Sequence, residues 1–345
     1  MRTVLILNPT SGASLLATHQ SSPEENEAMI LAALHTYNIE PEVWHTTPED
    51  AGDGLAQRAA RDGYNFVIAA GGDGTLHAVA RGLIGTTSTL AIIPMGTMNN
   101  IARSLKIPET VEEACAILAH GKTTRIDVGK INGHIFLEVA GIGLEAALFP
   151  AAEEIKSSGF RSTLHGIFEG LSTLFAFQPT RFTISFDGGR SRAYKAVQVS
   201  ICNSPYYGAR LQFAPKAVMN DGLLDVLVYR NFSKFEYLRH AITISQGMRP
   251  FEPKVTRRKI KSLHIGAAEP VEIHADGVPL GHTPATVTID TGALRVRVPE
   301  EVATGPNVLS TQKQRTRILQ IARNDTLVNE KEDEQQEEKG PQYVK

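Results

Sequence analysis

The chain has 345 residues, a formal net charge of −2, 42% hydrophobic and 21% charged residues, and two cysteines. This length suits two domains or one large one. The charge balance excludes a broad basic field for nucleic acid, and two thiols exclude a disulfide framework or a four-cysteine zinc site.

Cys115 and Cys202 fit buried, inert thiols in a reducing compartment. Six acids and three lysines lie between Glu330 and Lys345, a net of −3, so the remainder is near +1. The N-terminal "MRTVLILNPTSG" has too short an apolar run for a signal peptide and stops at Asn-Pro. No stretch approaches the ~20 apolar residues of a membrane span. A cytoplasmic protein able to touch a membrane surface is expected.

The first part alternates strand and helix signals. "TVLILN" (3–8) is a branched apolar run ending at "PTSG", and residues 24–37 carry apolar positions at helical spacing. "EVWHTT" (42–47) alternates like a strand, and 49–63 reads as a helix with acids in its first turn. Then come the strand "NFVIAA", a glycine turn, a helix near 75–84, the strand "TLAIIP" (89–94), the loop "MGTMNN", and helices through Leu105 and over 110–120. Buried strands alternating with helices predict a parallel sheet with helices on both faces.

After Arg125 the pattern changes. "RIDVGKINGHIFLEVAGIG" is two strand-like runs joined at Asn132-Gly133, a hairpin signal. "RFTISFDGGRSRAYKAVQVSICNS" repeats it around Asp187-Gly188-Gly189, and "GLLDVLVYR", "KVTRRKIKSLHIG", "PVEIHADGVPLG", "ATVTID" and "ALRVRVP" follow as short strands. This half is expected to be a mainly antiparallel β-sandwich, with helical interruptions at 146–177 and 233–247. The expected division is a nucleotide-binding α/β domain over 1–125, a β-rich substrate domain over 126–300, and an acidic disordered tail over 325–345. A helical segment at 301–324 is expected to pack back on the first domain.

"FVIAAGGDGTLHAVA" (66–80) carries the chemistry. Gly71, Gly72 and Gly74 let a backbone bend and a ligand approach, and turn N–H groups at a helix start can hold phosphate. Asp73 in that turn is either a helix cap or a group that handles a proton or magnesium. The turn lacks the Gly-Lys-Ser/Thr of a Walker loop and the G-x-G-x-x-G of a dinucleotide fingerprint. "PMGTMNN" adds Gly96, Thr97 and Asn99 one strand later, and "NPTSG" adds Asn8, Ser11 and Gly12. Three small or polar loops at one sheet edge describe a nucleotide crevice.

These segments resemble the diacylglycerol kinase and sphingosine kinase superfamily of lipid kinases. "NPTSG" is similar to its N-P-x-S-G opening, "GGDGTLHAV" to its G-G-D-G-T-x-x-x-V loop, and "PMGTMNNIARSLKIP" to its P-x-G-T-x-N-D/N-x-A-R-x-L-x-I-P motif. "RIDVGKINGHIFLEVAGIG" and "FAPKAVMNDGLLDVLVY" resemble its D-x-G and A-P-x-A-x-x-x-D-G-x-L-D-V segments. The likeness runs in order from about residue 3 to 299, apart from 146–180.

The resemblance implies a bilobal, ATP- and magnesium-dependent kinase with its active site between the lobes, acting on a lipid at a membrane surface. Asn8, Ser11, Gly12, Thr46, Gly71, Gly72, Asp73, Gly74, Thr75, Gly96, Thr97 and Asn99 would line ATP, with His45 or Thr47 as alternatives to Thr46. It places a structural magnesium on Asp221 and the carbonyls of Val218 and Leu223, where a plain turn is the alternative. Asp73, Asp127 and Asp276 would be the acids of the cleft, with a surface strand the other setting for Asp127. A homodimer is left open.

One departure stands out. The family carries D-G-E near its end, with the glutamate as proton acceptor, whereas "HADGVPLG" has Val278 there. Three readings follow: Asp73 is the base, a neighbour such as Asp276, His274 or Glu272 substitutes, or the protein binds without efficient transfer. Phosphorylation of NAD or a sugar phosphate is a further alternative. "SSGFRSTLHGIFEGLSTLFAFQP" (157–179) is either an acyl-chain or membrane segment or core, and "KVTRRKIKS" (254–262) either meets anionic lipid or is an exposed strand face. The eleven histidines show no H-x-x-x-H pair, so no transition-metal site is expected.

Overall fold

The protein is described here from a computed structural model covering residues 2–11, 22–146, 174, 176–208, 211–230, 232–246, 248 and 251–300. The expectations for Gly12, for most of 146–177, and for the segments at 301–324 and 325–345 lie outside the described residues.

The N-terminal layer is built from β1 (Thr3–Leu7), α1 (Pro23–His35), β2 (Glu42–His45), α2 (Asp53–Arg61), β3 (Phe66–Gly71), α3 (Asp73–Leu83), β4 (Thr89–Pro94), α4 (Asn100–Ser104) and α5 (Val111–His120). β2, β1, β3 and β4 lie side by side in that order, all parallel. Every residue of β1, β3 and β4 is buried, as a parallel strand covered on both faces requires. Helix α1 begins at a capping box, Ser22 and Glu25, with Pro23 at its first turn. Because β1 lies between β2 and β3, the chain leaves it in opposite directions on its two sides. That topological switch point opens a crevice at the carboxyl ends of β1 and β3.

The C-terminal half holds β5 (Lys122–Ile131), β6 (His134–Phe136), β7 (Val139–Gly143), β8 (Thr180–Phe186), β9 (Arg192–Cys202), β10 (Leu224–Arg230), α6 (Lys234–Ser245), β11 (Val255–Ile260), β12 (Ser262–Ala267), β13 (Glu272–Ala275), β14 (Val278–His282) and β15 (Ala285–Val298). Its pairings are antiparallel and form a β-sandwich around Phe136, Phe182, Ile201, Val226 and Ile265. The hairpin expected at Asn132-Gly133 forms with Ile131 opposite His134.

Several of the expected strands are corrected. "ATVTID" and "ALRVRVP" are one strand, β15, whose register shifts between Asp290 and Leu294. β15 pairs with β5 along both of its halves, reaches β12 at one end and runs beside β4 at the other, so a single ribbon joins the layers. The expected boundary at residue 125 falls inside β5. The run after Asn132-Gly133 is not one strand but two, β6 and β7, broken at Leu137-Glu138. At that break the N–H groups of Leu137, Glu138 and Val139 all turn to the carboxylate of Asp276.

Asp127 is neither on the surface nor in the cleft. It is 3% exposed on β5, where Oδ2 accepts from Gly222 N at 2.7 Å and Oδ1 from Gly292 N at 2.8 Å. Asp127→Asn leaves one oxygen for two N–H groups, so a stability loss of about 1–3 kcal/mol is expected. A urea midpoint unchanged from wild type would contradict this role.

Candidate active site

The crevice end of the first layer is built by backbone. α3 starts at Asp73 directly after β3, with Gly72 extended at its N-cap. Its amides therefore point beyond the carboxyl ends of the strands, a ready site for anionic oxygens. Gly74 is exposed, with open space where a Cβ would be.

The polar side chains expected to line a nucleotide are largely wired to one another. Asn8 Nδ2 donates to Thr75 Oγ1 at 3.0 Å, while Asn8 Oδ1 accepts from the backbone and hydroxyl of Thr10. Asn99 Oδ1 accepts from Gly96 N at 2.9 Å and its amide donates back to the Gly96 carbonyl at 2.7 Å. These bonds fix the loop shapes and leave backbone edges to meet a ligand. Ser11 donates its N–H to the Asn8 carbonyl, Thr46 follows β2 and donates its N–H to Leu7, and Thr97 lies in the loop after β4.

A cleft of about 790 Å³ lies beside this edge. One wall carries Asp73, Gly74, His77 and Arg81 of α3, and the facing wall carries Leu137, Glu138, Asp276, Gly277 and Val278. Asp73, His77 and Arg81 are four residues apart, so one face of the helix presents all three. Asp276 and Gly277 form the two-residue turn between β13 and β14, both with positive φ (45° and 84°), as Asp-Gly hairpins favour.

The two walls meet in a buried ionic cluster. His77 Nε2 lies 3.0 Å from Glu138 Oε1, and His77 Nδ1 lies 2.9 Å from Asp276 Oδ2. The three side chains are 11%, 3% and 8% exposed, so their charges interact in a poorly solvated setting. Burial opposes the charge on His77, but Asp276 and Glu138 outweigh it and raise its pKa to about 10. The imidazolium therefore donates from both nitrogens.

The three acids of the cleft differ in what they can still do. Asp276 is buried, yet His77 and the amides of Leu137 and Val139 hold its pKa low. Its two oxygens already take His77 and three N–H groups, at 2.6, 3.0 and 2.9 Å. Asp73 is pushed upward by burial, against the pull of His77 and the amides at Asn99 to Ile101. Glu138 is pushed up to about 7 by burial, with Asp276 and Asp73 adding repulsion and His77 opposing it. Beyond its contact with His77, the Glu138 carboxylate accepts no other hydrogen bond among the described residues.

His77 and Glu138 were missed as site residues in the sequence. Of the neighbours that could substitute for Val278, Asp276 stands in the cluster and the other two do not: His274 is 1% exposed, stacked on Tyr207 and facing Glu145, and Glu272 is exposed opposite His282. The expected magnesium ligands are also apart from the cleft. Asp221 Oδ1 accepts from Leu223 N at 3.0 Å and Oδ2 pairs with the Lys259 ammonium, so a cation already meets that carboxylate. Among the described residues no three His, Cys, Asp or Glu side chains are grouped to hold a metal.

A family model described as the diacylglycerol kinase catalytic domain matches residues 2–131, and one described as the YegS C-terminal NAD kinase beta sandwich-like domain matches 139–298. The first of these segments matches the diacylglycerol kinase family, and the two together span most of residues 2–298. It is 28% identical over 307 residues to a diacylglycerol kinase of Bacillus subtilis, covering 88% of this chain and 98% of that one. It is 29% identical over 291 residues to one from Staphylococcus aureus, covering 82% and 88%. Among solved structures, a diacylglycerol kinase from Bacillus anthracis superposes with a TM-score of 0.67 at 25% identity, covering 88% of this chain and 98% of that one. The family is one of phosphotransferases, and ATP is the donor that kinase membership implies. Among the described residues no helix is long and apolar enough to cross a membrane.

Proposed function

We propose that the protein is an ATP-dependent lipid kinase that phosphorylates the hydroxyl of diacylglycerol or a related lipid. The observation that carries this reading is the placement of the Gly71–Thr75 turn and the Glu138 and Asp276 carboxylates on opposing walls of one cleft, with His77 joining the two. Relatives named diacylglycerol kinase support the substrate class.

The Gly71–Thr75 turn and the loop at Gly96–Asn99 would hold the nucleotide phosphates through backbone N–H groups, with Asn8 and Asn99 keeping both loops in shape. Magnesium bound with the nucleotide would supply neutralisation of phosphate charge. The position at Asp221 does not fit it, because the Lys259 ammonium already meets the carboxylates of Asp221 and Asp225 there. Asp73, at the start of α3, stands nearest the phosphate-binding turn. The β-rich wall offers the lipid side, ending at the exposed Val278 and the half-buried Leu280. A lipid presented at a membrane surface fits that opening, as a proposal about the partner.

A second reading is favoured by Val278: a regulator that binds nucleotide or lipid without efficient transfer. The two separate in one experiment, labelled phosphate transfer from ATP to diacylglycerol, a sphingoid base and NAD in parallel. The kinase reading expects a phosphorylated lipid. Phosphorylation of NAD in preference to every lipid would overturn it.

A further inference from the structure

Val278 removes the acid that the family's D-G-E segment would place in this cleft. Yet the cleft contains a buried acid that the sequence reading did not single out. We infer that Glu138 accepts the proton of the acceptor hydroxyl, and that His77 is the positioning residue that aims it. This rests on the lipid kinase reading and names the base of that same site.

Geometry argues for Glu138 over the other two acids. Asp276 is saturated: two oxygens already take four donors. Asp73 sits on the wall of the phosphate-binding turn, and its Oδ1 faces the Ile101 amide at 3.5 Å. A group that receives the acceptor's proton has to stand on the acceptor's side, and Glu138 lies on the β-rich wall with Val278. Its backbone is held at both ends: its N–H donates to Asp276, and its carbonyl accepts from Asn203 N at 2.9 Å and Ser204 N at 3.2 Å. With Oε1 against His77, Oε2 is the oxygen left for a substrate. This is the oriented base that proton transfer needs.

The step balances. The acceptor O–H gives its proton to the Glu138 carboxylate, and its oxygen forms a bond to the γ-phosphorus. The bond from that phosphorus to the β–γ bridging oxygen breaks, and ADP leaves with the electron pair. The carboxylic acid then returns the proton to solvent through the cleft.

The charged groups facing Glu138 are His77, Asp73 and Arg81 from α3, Asp276 from the β13–β14 turn, and His134 from the start of β6. With its pKa raised to about 7, Glu138 is the protonated acid below that pH and the base above it. The rate is therefore expected to rise with pH through an acid limb near 7.

The experiment is steady-state lipid phosphorylation across pH 5.5–9 for wild type, Glu138→Gln, Glu138→Asp and His77→Gln, with binding of a non-hydrolysable ATP analogue measured alongside. Glu138→Gln is expected to lower kcat at least about 100-fold, leave analogue binding unchanged and abolish the acid limb. Glu138→Asp, which keeps a carboxylate, is expected to keep the limb and lose less rate. His77→Gln is expected to move the limb to higher pH, because the cation that lowers the Glu138 pKa is gone. A Glu138→Gln rate within about threefold of wild type with the limb in place would overturn the inference. So would Glu138→Asp falling as far as Glu138→Gln. Wild type that phosphorylates no lipid would instead overturn the kinase reading beneath it.

Discussion

Asp276→Ala is expected to lose at least about 4 kcal/mol of folding stability. The carboxylate accepts three backbone N–H groups and His77, all within 3.0 Å. Each buried donor left without a partner costs about 1–3 kcal/mol. The buried imidazolium would keep only Glu138. Alanine must also adopt φ 45°, where a Cβ without a hydrogen-bonding side chain is strained. Against a whole-protein stability of about 5–15 kcal/mol, the loss is large. For a chain of this size it corresponds to a fall in Tm of roughly 6 °C. Asp276→Asn keeps two acceptor sites and tolerates the turn, so it should fall between. A Tm for Asp276→Ala within about 2 °C of wild type would show that the carboxylate does not hold the strand break.

Gly96→Ala is the second large expectation, and it acts on the nucleotide rather than on the fold. A Cβ at Gly96 would lie 2.6 Å from Gly72 Cα and 2.9 Å from Asn99 Oδ1. The first contact is backbone, so the two phosphate-binding loops must separate. The second would disturb the hydrogen bonds between Asn99 and Gly96 that shape the loop. ATP affinity is expected to fall at least about tenfold, or ~1.4 kcal/mol. Gly266→Ala on β12 is the control, because its Cβ would meet nothing within 4 Å and it lies outside the nucleotide loops. Titration of a fluorescent ATP analogue reads both. Equal affinity in wild type and Gly96→Ala would place the nucleotide elsewhere.

The parts of this site legible in the sequence are those written in local chemistry. Gly71-Gly72-Asp73-Gly74 announces a strand-to-helix turn, and Asn132-Gly133 announces a tight hairpin, whereas Asp276-Gly277 turns the chain inside a run read as one strand. The β3 and β4 runs match the observed strands because buried parallel strands read as unbroken apolar segments. The ionic cluster was not legible, because its members come from α3, the β6–β7 break and the β13–β14 turn. Only the tertiary fold brings positions 61 and 138 residues apart together. Two signals pointed there. His77 is one helical turn after Asp73, and Glu138 is the lone charge in the apolar run "IFLEVAGIG". The break in that run was hidden for the same reason, since the carboxylate that interrupts the strand lies far along the chain. The split of β15 into two predicted strands came from Asp290-Thr291-Gly292, which reads as a turn but serves as a register shift within one strand.

Whether this cleft transfers phosphate despite Val278 is the central claim, and one comparison tests it most directly. Wild type and Val278→Glu are assayed side by side for phosphate transfer from ATP to diacylglycerol in mixed micelles. The account predicts that wild type is active and that restoring an acid at 278 changes kcat by no more than about tenfold, less than a missing base would cost. An inert wild type made active by Val278→Glu would contradict it.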